Sequence, residues 1–230
     1  MITYEFTDKG PRVENQDSCY LNCDDGGIVA AVADGVGGNN GGAVASRIAI
    51  EILIDGYKSD STLSECLLRA HEKILDCSSR DDSLRGMATT LTAAIFKKGV
   101  LKGVHCGDSR AYILRGNGIK QLTKDHTEVA KLLAEGRLTK DAAINYPRKN
   151  ILDSALGTHK ELRFQEFEFQ LEIGDRVILA TDGIYGDLTK KELVFISKSE
   201  SDFNKFCEAV ISRVVEIGPS DNYTLVGFEL

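Results

Sequence analysis

Proline is scarce in this chain, and neither a Ser/Gly-rich linker nor a long block of one charge interrupts it. The three prolines are Pro11, Pro147 and Pro219. Linkers and shifts of composition usually mark domain boundaries, and none is visible here. Apolar residues are plentiful and the charged fraction is an ordinary 27%, which favours a large folded core over disorder. We therefore predict a single domain over residues 1–230.

Basic stripes and long apolar runs are also absent. The formal net charge is −7, and an acidic chain without a Lys/Arg stripe is a poor partner for nucleic acid or an anionic membrane surface. No apolar run approaches the roughly 18 residues of a membrane span. Residues 1–9 lack the basic and apolar regions of a signal peptide. These absences predict a cytoplasmic protein with no nucleic-acid or membrane partner.

Several common catalytic and metal-binding motifs are missing. The six cysteines form no C-x-x-C pair, so reduced core thiols are favoured over disulfides or a thiol nucleophile. The four histidines show neither H-E-x-x-H nor Cys/His zinc spacing. The glycine-rich segment 35–42 lacks the G-K-[ST] of a P-loop. Asn40 also stands where a dinucleotide fingerprint needs glycine or alanine. Zinc sites and nucleotide sites are therefore disfavoured.

Short apolar runs, hairpin turns and capping boxes predict an α+β fold with antiparallel sheets. Lys98-Gly99 and Asn117-Gly118 are hairpin signals. The capping boxes Thr62–Glu65 and Thr189–Glu192 predict helix starts, and a helix over Thr127–Glu135 should end at Gly136. The predicted strands are Ile2–Phe6, Ser18–Leu21, Ile28–Ala33, Thr89–Phe96, Val100–Cys106, Ala111–Leu114, Phe167–Leu171, Val177–Ala180 and Tyr223–Phe228.

Four aspartates stand at the ends of these apolar runs. Asp34, Asp108 and Asp182 follow a predicted strand, and Asp221 precedes the last one. Each alone is an ordinary turn residue. A sheet gathers its strand ends, however, and two carboxylates about 4 Å apart repel by roughly 4 kcal/mol at an effective dielectric of 20. The pattern predicts an acidic pocket that holds a cation, and oxygen ligands favour Mg²⁺ or Mn²⁺ over Zn²⁺.

The segment Arg12-x-x-Asn15-Gln16-Asp17 adds an arginine and a fifth acid, and with it the order of motifs resembles a known family. The motifs are Arg12-x-x-Asn15-Gln16-Asp17, Asp34-Gly35-Val36-Gly37-Gly38, Ala88-Thr89-Thr90, Gly107-Asp108-Ser109-Arg110, Thr181-Asp182-Gly183 and Asp221-Asn222. Each is weak alone, but six in this order are specific. They resemble the type-2C metal-dependent Ser/Thr protein phosphatases, the PPM family, in its compact bacterial form.

The resemblance implies a four-layer α-β-β-α sandwich of two antiparallel sheets, with a metal site at one edge. By that likeness, Asp34 bridges two Mn²⁺ or Mg²⁺ ions, and the Gly35 carbonyl binds the second. Asp182 and Asp221 would bind the first ion. Asp108 and Asp182 would together bind a third, weaker ion, and Asp17 would bind the second ion directly or through water. Arg12 would be the phosphate clamp, and residues 127–150 would form a flap.

The resemblance further implies hydrolysis of phosphoserine and phosphothreonine on proteins by a metal-activated water, without a covalent enzyme intermediate. The implied partners are signalling proteins phosphorylated by a Ser/Thr kinase, and we expect a monomer. One alternative is a non-catalytic relative, but it should have lost metal ligands, and all five aspartates and Arg12 are present. Another is a phosphatase for small phosphorylated metabolites or for anti-sigma-type regulators.

The chain departs from the family pattern at three positions. Gln16 stands where many members have glutamate, which predicts a second metal ligated mostly by water. Val36 replaces a histidine that is thought to protonate the leaving group in eukaryotic members, and valine cannot do so. Our hypothesis is that a water on the third ion near Asp108 takes that role. Tyr146 occupies a flap position that is often histidine in bacterial relatives.

Overall fold

Two antiparallel sheets form the centre of the molecule in the computed structural model, which describes residues 1–36, 41–159, 161–186 and 188–230. The strands of the first sheet, in spatial order, are β1 Ile2–Asp8, β11 Tyr223–Glu229, β10 Arg176–Ala180, β7 Arg110–Arg115 and β8 Gly118–Gln121. Those of the second sheet are β2 Asp17–Asp24, β3 Gly27–Val36, β5 Leu91–Lys97, β6 Val100–Cys106 and β9 Gln165–Gln170, with β4 Ala88–Thr89 paired to the end of β3.

The helices of the described chain are α1 Gly41–Lys58, α2 Leu63–Arg80, α3 Glu128–Ala134, α4 Lys140–Ile144, α5 Asp182–Tyr185, α6 Lys190–Ser199 and α7 Phe203–Ile217, with a 3₁₀ turn at Asp82–Leu84. Helices α1 and α2 cover the outer face of the second sheet, and α6 and α7 cover that of the first. Both predicted capping boxes are formed, at Thr62 and at Thr189. Gly136 follows α3 with a φ of +68°, a conformation that glycine adopts without strain.

The innermost core lies between the two sheets. Ile28 and Val32 of the second sheet pack there against Val177, Val226 and Phe228 of the first. Alternating side chains of each strand point to opposite faces, so the other face of each sheet needs its own cover.

Two further cores lie between the sheets and the helices. Leu53 of α1 and Leu67 of α2 pack on the second sheet. Phe206 and Val210 of α7 pack on the first sheet, together with Leu193 of α6. The layers therefore run helix, sheet, sheet, helix. The predicted α+β sandwich with two antiparallel sheets is confirmed.

The third strand is longer than predicted, which corrects the placement of Asp34. We expected Asp34 to follow the strand, but it lies within β3, opposite Asp17 of β2. The strand continues because Gly35 and Val36 pair with Thr89 and Ala88 of β4. That pairing also divides the predicted strand Thr89–Phe96 into β4 and β5. Gly37, Gly38 and Asn40 of the glycine-rich segment lie outside the described residues.

Both predicted hairpins are present, β5 with β6 and β7 with β8. However, β6 and β7 belong to different sheets, so the three residues between them cross from one sheet to the other. Strand β8 and the short helices α4 and α5 were not predicted. Elements of four or five residues show too few side chains for a period to be visible.

Among residues 1–36, 41–159, 161–186 and 188–230, no helix is long and apolar enough to cross a bilayer.

Candidate metal centre

Asp17 and Asp34 are brought together by the pairing of β2 with β3. Asp17 is buried, and its Oδ2 accepts hydrogen bonds from the hydroxyls of Thr181 (2.8 Å) and Thr224 (2.6 Å). Its Oδ1 is buried and has no hydrogen-bond partner among the described residues. A buried carboxylate oxygen without a donor is unfavourable unless a cation satisfies it.

The main chain of Asp34 is held by the two threonines of the Ala88-Thr89-Thr90 motif. The Asp34 N–H donates to Thr90 Oγ1 (2.9 Å), and the Asp34 carbonyl accepts from Thr89 Oγ1 and from the Thr90 N–H, both at 2.9 Å. The motif therefore fixes the direction of the Asp34 side chain through its backbone. That is a physical reason for two adjacent threonines at this point.

Gly35 lies in a space that admits no side chain. A Cβ there would stand 2.3 Å from the Gly42 carbonyl oxygen at the start of α1 and 2.5 Å from the Gln16 carbonyl oxygen. The Gly35 N–H donates to that Gln16 carbonyl (3.1 Å). The side chain of Gln16 lies against Gly42, since a Cβ on Gly42 would meet Gln16 Oε1 at 2.6 Å. β3, α1 and the segment before β2 thus meet closely beside Asp34.

Asp182 and Asp221 meet at the end of the first sheet. Asp182 is the first residue of α5, two residues after the end of β10, and Asp221 lies two residues before β11. A Cβ on Gly183 would stand 2.0 Å from the Asn222 carbonyl oxygen, so the two segments pass in direct contact. The pairing of β10 with β11 brings their ends to the same edge.

Asn222 connects this edge to the N-terminal segment. Its Oδ1 accepts from the Gln16 N–H (2.9 Å), and its amide donates to the carbonyls of Lys9 (2.8 Å) and Glu14 (2.9 Å). The loop that carries Arg12 is therefore tied to the residue after Asp221.

Arg12 lies at the rim and forms an ion pair with Asp221, with Nη2 2.7 Å from Oδ2. The Arg12 side chain is 56% exposed. Exposed pairs of this kind contribute about 0–1 kcal/mol. The guanidinium can therefore exchange this carboxylate for another anion with little loss.

Asp108 lies in the link between β6 and β7, partly buried beside the other acids. Its pKa is raised to about 7, first by burial and then by the charge of Asp182, while Arg110 opposes the shift. The predicted acidic site residues, from both sheets and from the link between them, thus lie in one region.

Asp17, Asp34 and Asp182 show the same electrostatic strain. The pKa of Asp17 is raised to about 7, first by burial, with smaller contributions from the charges of Asp182 and Asp221. The pKa of Asp182 rises to about 6 through burial and the neighbouring Asp221. Asp34 has a pKa well above its usual value, first through burial and then through repulsion by the other four acids. The cluster resists carrying its full negative charge.

The donors fit divalent cations of the Mg²⁺ and Mn²⁺ type. All of them are oxygens, they are partly or fully buried, and Asp17 Oδ1 is directed at no donor within the described chain. In that same part of the chain, no three Asp, Glu, His or Cys side chains enclose an ion by themselves. The acids therefore line the region rather than converge on one point. That arrangement suits ions that retain several water ligands.

The predicted flap consists of α3, α4 and the turns after them. Tyr146 donates its hydroxyl to Glu128 Oε1 (2.7 Å), and Arg148 binds both oxygens of the same carboxylate. Tyr146 is thus part of an internal contact of the flap. None of the residues within α3 and α4 is buried, in agreement with a segment outside the core.

Four supporting residues were missed by sequence reasoning: Thr181, Tyr185, Asn222 and Thr224. Thr181 and Asn222 adjoin predicted ligands inside their motifs, which was a usable signal. Thr224 stands in an apolar stretch whose pattern indicates burial and not hydrogen bonding, and Tyr185 follows the Thr181-Asp182-Gly183 motif with no pattern that indicates its contact. Only the packing of one sheet on the other shows that the Thr224 hydroxyl reaches Asp17.

Comparisons with known proteins agree with this geometry. The family model described as Protein phosphatase 2C matches residues 12–220. The chain is 35% identical to the serine/threonine phosphatase stp of Listeria welshimeri over 233 residues, 96% of this chain and 92% of that protein. The crystal structure of the Mycobacterium tuberculosis serine/threonine phosphatase PstP/Ppp superposes with a TM-score of 0.88 and 29% identity, covering 100% of this chain and 98% of that one. The catalytic domain of PstP in complex with two manganese ions gives a TM-score of 0.83 and 30% identity, covering 98% and 96%.

Proposed function

The chain belongs to the protein phosphatase 2C family and is by that membership a serine/threonine protein phosphatase, and on this premise we propose that two Mn²⁺ or Mg²⁺ ions support its activity. The observation that carries the metal dependence is the partly or fully buried group of five aspartates with one carboxylate oxygen left without a donor in the described chain. A phosphate dianion would be repelled by this group alone. The solved PstP domain with two manganese ions supports the choice of metal.

We assign the ligands by the position of each acid. Asp34, which faces Asp17 across two strands and is repelled by all the other acids, is the proposed bridge between two ions. Asp182 and Asp221 would hold the first ion, and Asp17 and the Gly35 carbonyl the second. Asp108 with Asp182 would hold a third, weaker ion. When bound, divalent cations supply an activated water and neutralise charge that develops on the phosphoryl group.

Arg12 is the proposed phosphate clamp. Its guanidinium can donate to two phosphate oxygens at once, in a planar geometry that a lysine cannot reproduce. It already lies next to Asp221, a proposed ligand of the first ion, with its side chain open to solvent. With divalent cations offsetting the charge of the acids, positioning of the phosphate by Arg12 would allow direct attack by water, without a covalent intermediate on the enzyme.

The leaving group also needs a proton, and Val36 has none to give. Val36 is 43% exposed at the end of β3, next to Gly35. We propose that the proton donor lies on the Asp108 side of the site. This assignment predicts that dependence on the proton donor differs between substrates according to their leaving group, because an alkyl oxygen needs protonation far more than a p-nitrophenolate does.

The wider context is also a proposal. We expect one domain over residues 1–230, a cytoplasmic location, a monomeric state and phosphorylated protein substrates made by a Ser/Thr kinase. The acidic net charge of −7 supports the absence of a nucleic-acid partner. A non-catalytic relative is disfavoured, because it should have lost metal ligands, whereas all five aspartates and Arg12 are present.

A turnover assay tests the metal-dependent function. Activity toward p-nitrophenyl phosphate and toward a phosphothreonine peptide should require Mn²⁺ and vanish in EDTA. Asp34→Ala and Asp182→Ala should each lower kcat/KM at least ~100-fold, since metal stabilisation of the transition state is worth several kcal/mol. Asp55→Ala, an exposed aspartate of α1, is the matched control and should stay within about twofold.

Two outcomes would count against this proposal. Activity that survives the chelator, or that survives both substitutions, would remove the two-metal mechanism. A kcat/KM for small phosphorylated metabolites well above that for phosphopeptides would replace the proposed protein substrate with a small molecule.

A further inference from the structure

The link Gly107-Asp108-Ser109 is held by three donors from three separate parts of the chain. The Gly107 carbonyl accepts from the His126 N–H (2.6 Å), and the Ser109 carbonyl accepts from the Thr92 hydroxyl (3.0 Å). Between them, the Asp108 carbonyl accepts from the hydroxyl of Tyr185 (2.9 Å). Because this link crosses from one sheet to the other, pairing within a single sheet does not fix the position of Asp108.

Tyr185 differs from the other two donors in where it comes from. It lies in α5, three residues after Asp182, which is almost one helical turn. Its hydroxyl therefore connects the backbone of Asp108 to the same short helix that presents Asp182. These two carboxylates repel each other, since the charge of Asp182 raises the pKa of Asp108. The Tyr185 hydrogen bond acts against that repulsion, because it joins the link to α5.

The ring of Tyr185 is itself held in place by Arg110. The guanidinium carbon of Arg110 lies 3.7 Å from the ring centroid, a cation–π contact. Arg110 is fixed in turn by Asp125, which accepts from Nη2 at 2.6 Å and from Nε at 2.9 Å. The side chains of this pair are only 24% and 17% exposed. A fourth contact joins Arg110 Nη1 to the Tyr112 hydroxyl (3.2 Å).

We propose that Tyr185 is a positioning residue that sets the distance between Asp108 and Asp182, with Arg110 holding its ring in the required orientation. This inference rests on the proposed function, because its purpose is to keep the two acids close enough to share the weaker ion. The Arg110 of the Gly107-Asp108-Ser109-Arg110 motif then acts through Tyr185 and needs no contact with substrate.

Tyr185→Phe tests the proposal, because it removes the hydroxyl and keeps the ring over Arg110. The matched control is Tyr112→Phe, which removes a hydroxyl that touches the same arginine but does not reach Asp108. We expect Tyr185→Phe to lower kcat on a phosphothreonine peptide about 5- to 10-fold, the effect of one lost hydrogen bond. Turnover of p-nitrophenyl phosphate, whose leaving group needs little protonation, should change less than about twofold.

Equilibrium Mn²⁺ binding gives a readout that does not depend on activity. Tyr185→Phe should weaken the weakest Mn²⁺ site about 5- to 10-fold and leave the tighter sites unchanged. Tyr112→Phe should alter none of them. Arg110→Lys, which keeps the charge beside Asp125 but loses the planar stacking group, should reproduce the Tyr185→Phe pattern. It also serves as the test if Tyr185→Phe fails to fold.

An Asp108→Ala background distinguishes positioning from a general structural role. In that background the Tyr185 hydroxyl has no carboxylate to position, so Tyr185→Phe should cause no further loss on the peptide. A loss that persists there, or a Tyr185→Phe enzyme indistinguishable from Tyr112→Phe, would overturn the inference. A wild-type chain that turns over neither substrate with Mn²⁺ would contradict the proposed function instead, and the Mn²⁺ isotherms would still decide the role of Tyr185.

Discussion

The carboxylate of Asp17 is buried, and only one of its two oxygens has hydrogen-bond donors within the described chain. Two threonine hydroxyls donate to that oxygen, and no group donates to the other. The threonine hydrogen bonds lower its pKa, yet burial outweighs them and the net shift is upward, to about 7. Such a residue is stabilised only when a proton or a cation reaches the second oxygen. At the residue scale, protons and metal ions therefore compete for the same acids.

This competition predicts how stability depends on pH. An unfolded Asp titrates near pH ~4, whereas Asp17 and Asp108 have pKa values of about 7 when folded. The folded chain binds more protons between these values, so their contribution to stability is complete below pH ~4 and is lost as pH rises through 7. In EDTA, Tm should fall from pH 6.5 to pH 8.5, and Mn²⁺ should raise Tm more at pH 8.5 than at pH 6.5.

Calorimetry in EDTA and in Mn²⁺ measures both trends. The pH range of the measurement starts at 6.5, because burial lowers the pKa of His105 and His126. Below pH 6.5 these two histidines make stability rise with pH, which opposes the fall caused by the aspartates. Asp17→Asn is the control and should flatten the dependence in EDTA. A wild-type Tm in EDTA that is constant or rises over this range would contradict the electrostatic account.

At the scale of elements, the end of β3 brings Asp34, β4 and the start of α1 into contact. The strand continues past the apolar run because Gly35 and Val36 pair with β4. Gly35→Ala would force its Cβ against two carbonyl oxygens, at 2.3 Å and 2.5 Å. We expect a loss of roughly 1–3 kcal/mol in the free energy of unfolding, together with weaker Mn²⁺-dependent turnover.

Urea denaturation of two glycine variants tests this prediction. Gly118→Ala is the matched control, because a Cβ there meets its nearest neighbour at an ordinary 3.5 Å. It should change the free energy of unfolding by less than about 1 kcal/mol. Equal effects at the two glycines would show that the approach of α1 to β3 does not constrain the site.

The elements that could be predicted from the sequence are those with a long periodic or capped pattern. Helices α2, α6 and α7 carried capping boxes or a clear apolar stripe, and the two hairpins carried Lys98-Gly99 and Asn117-Gly118. The end of β3 was placed too early because its pairing with β4 is non-local. Whether Asp17 lies near Asp34 depends on register, which a local pattern does not encode.

On the scale of the whole molecule, the candidate site lies where the two sheets meet. Asp17 and Asp34 come from the second sheet, Asp182 and Asp221 from the end of the first, and Asp108 from the link between them. The six motifs predicted that these residues belong together, but not that they come from two different sheets that meet at the site. Repulsion among them acts between the two sheets, and a shared cation would join the sheets.

Equilibrium binding of Mn²⁺ to the intact chain tests the central claim most directly. Isothermal titration at pH 8 should show at least two ions per chain for the wild type. Asp34→Asn, which removes the proposed bridging charge, should lose at least one of them, whereas Asp55→Asn on the exposed face of α1 should bind like the wild type. A wild-type chain that binds no Mn²⁺ at millimolar concentration, or an Asp34→Asn chain with an unchanged isotherm, would contradict the assignment of these aspartates as a metal centre.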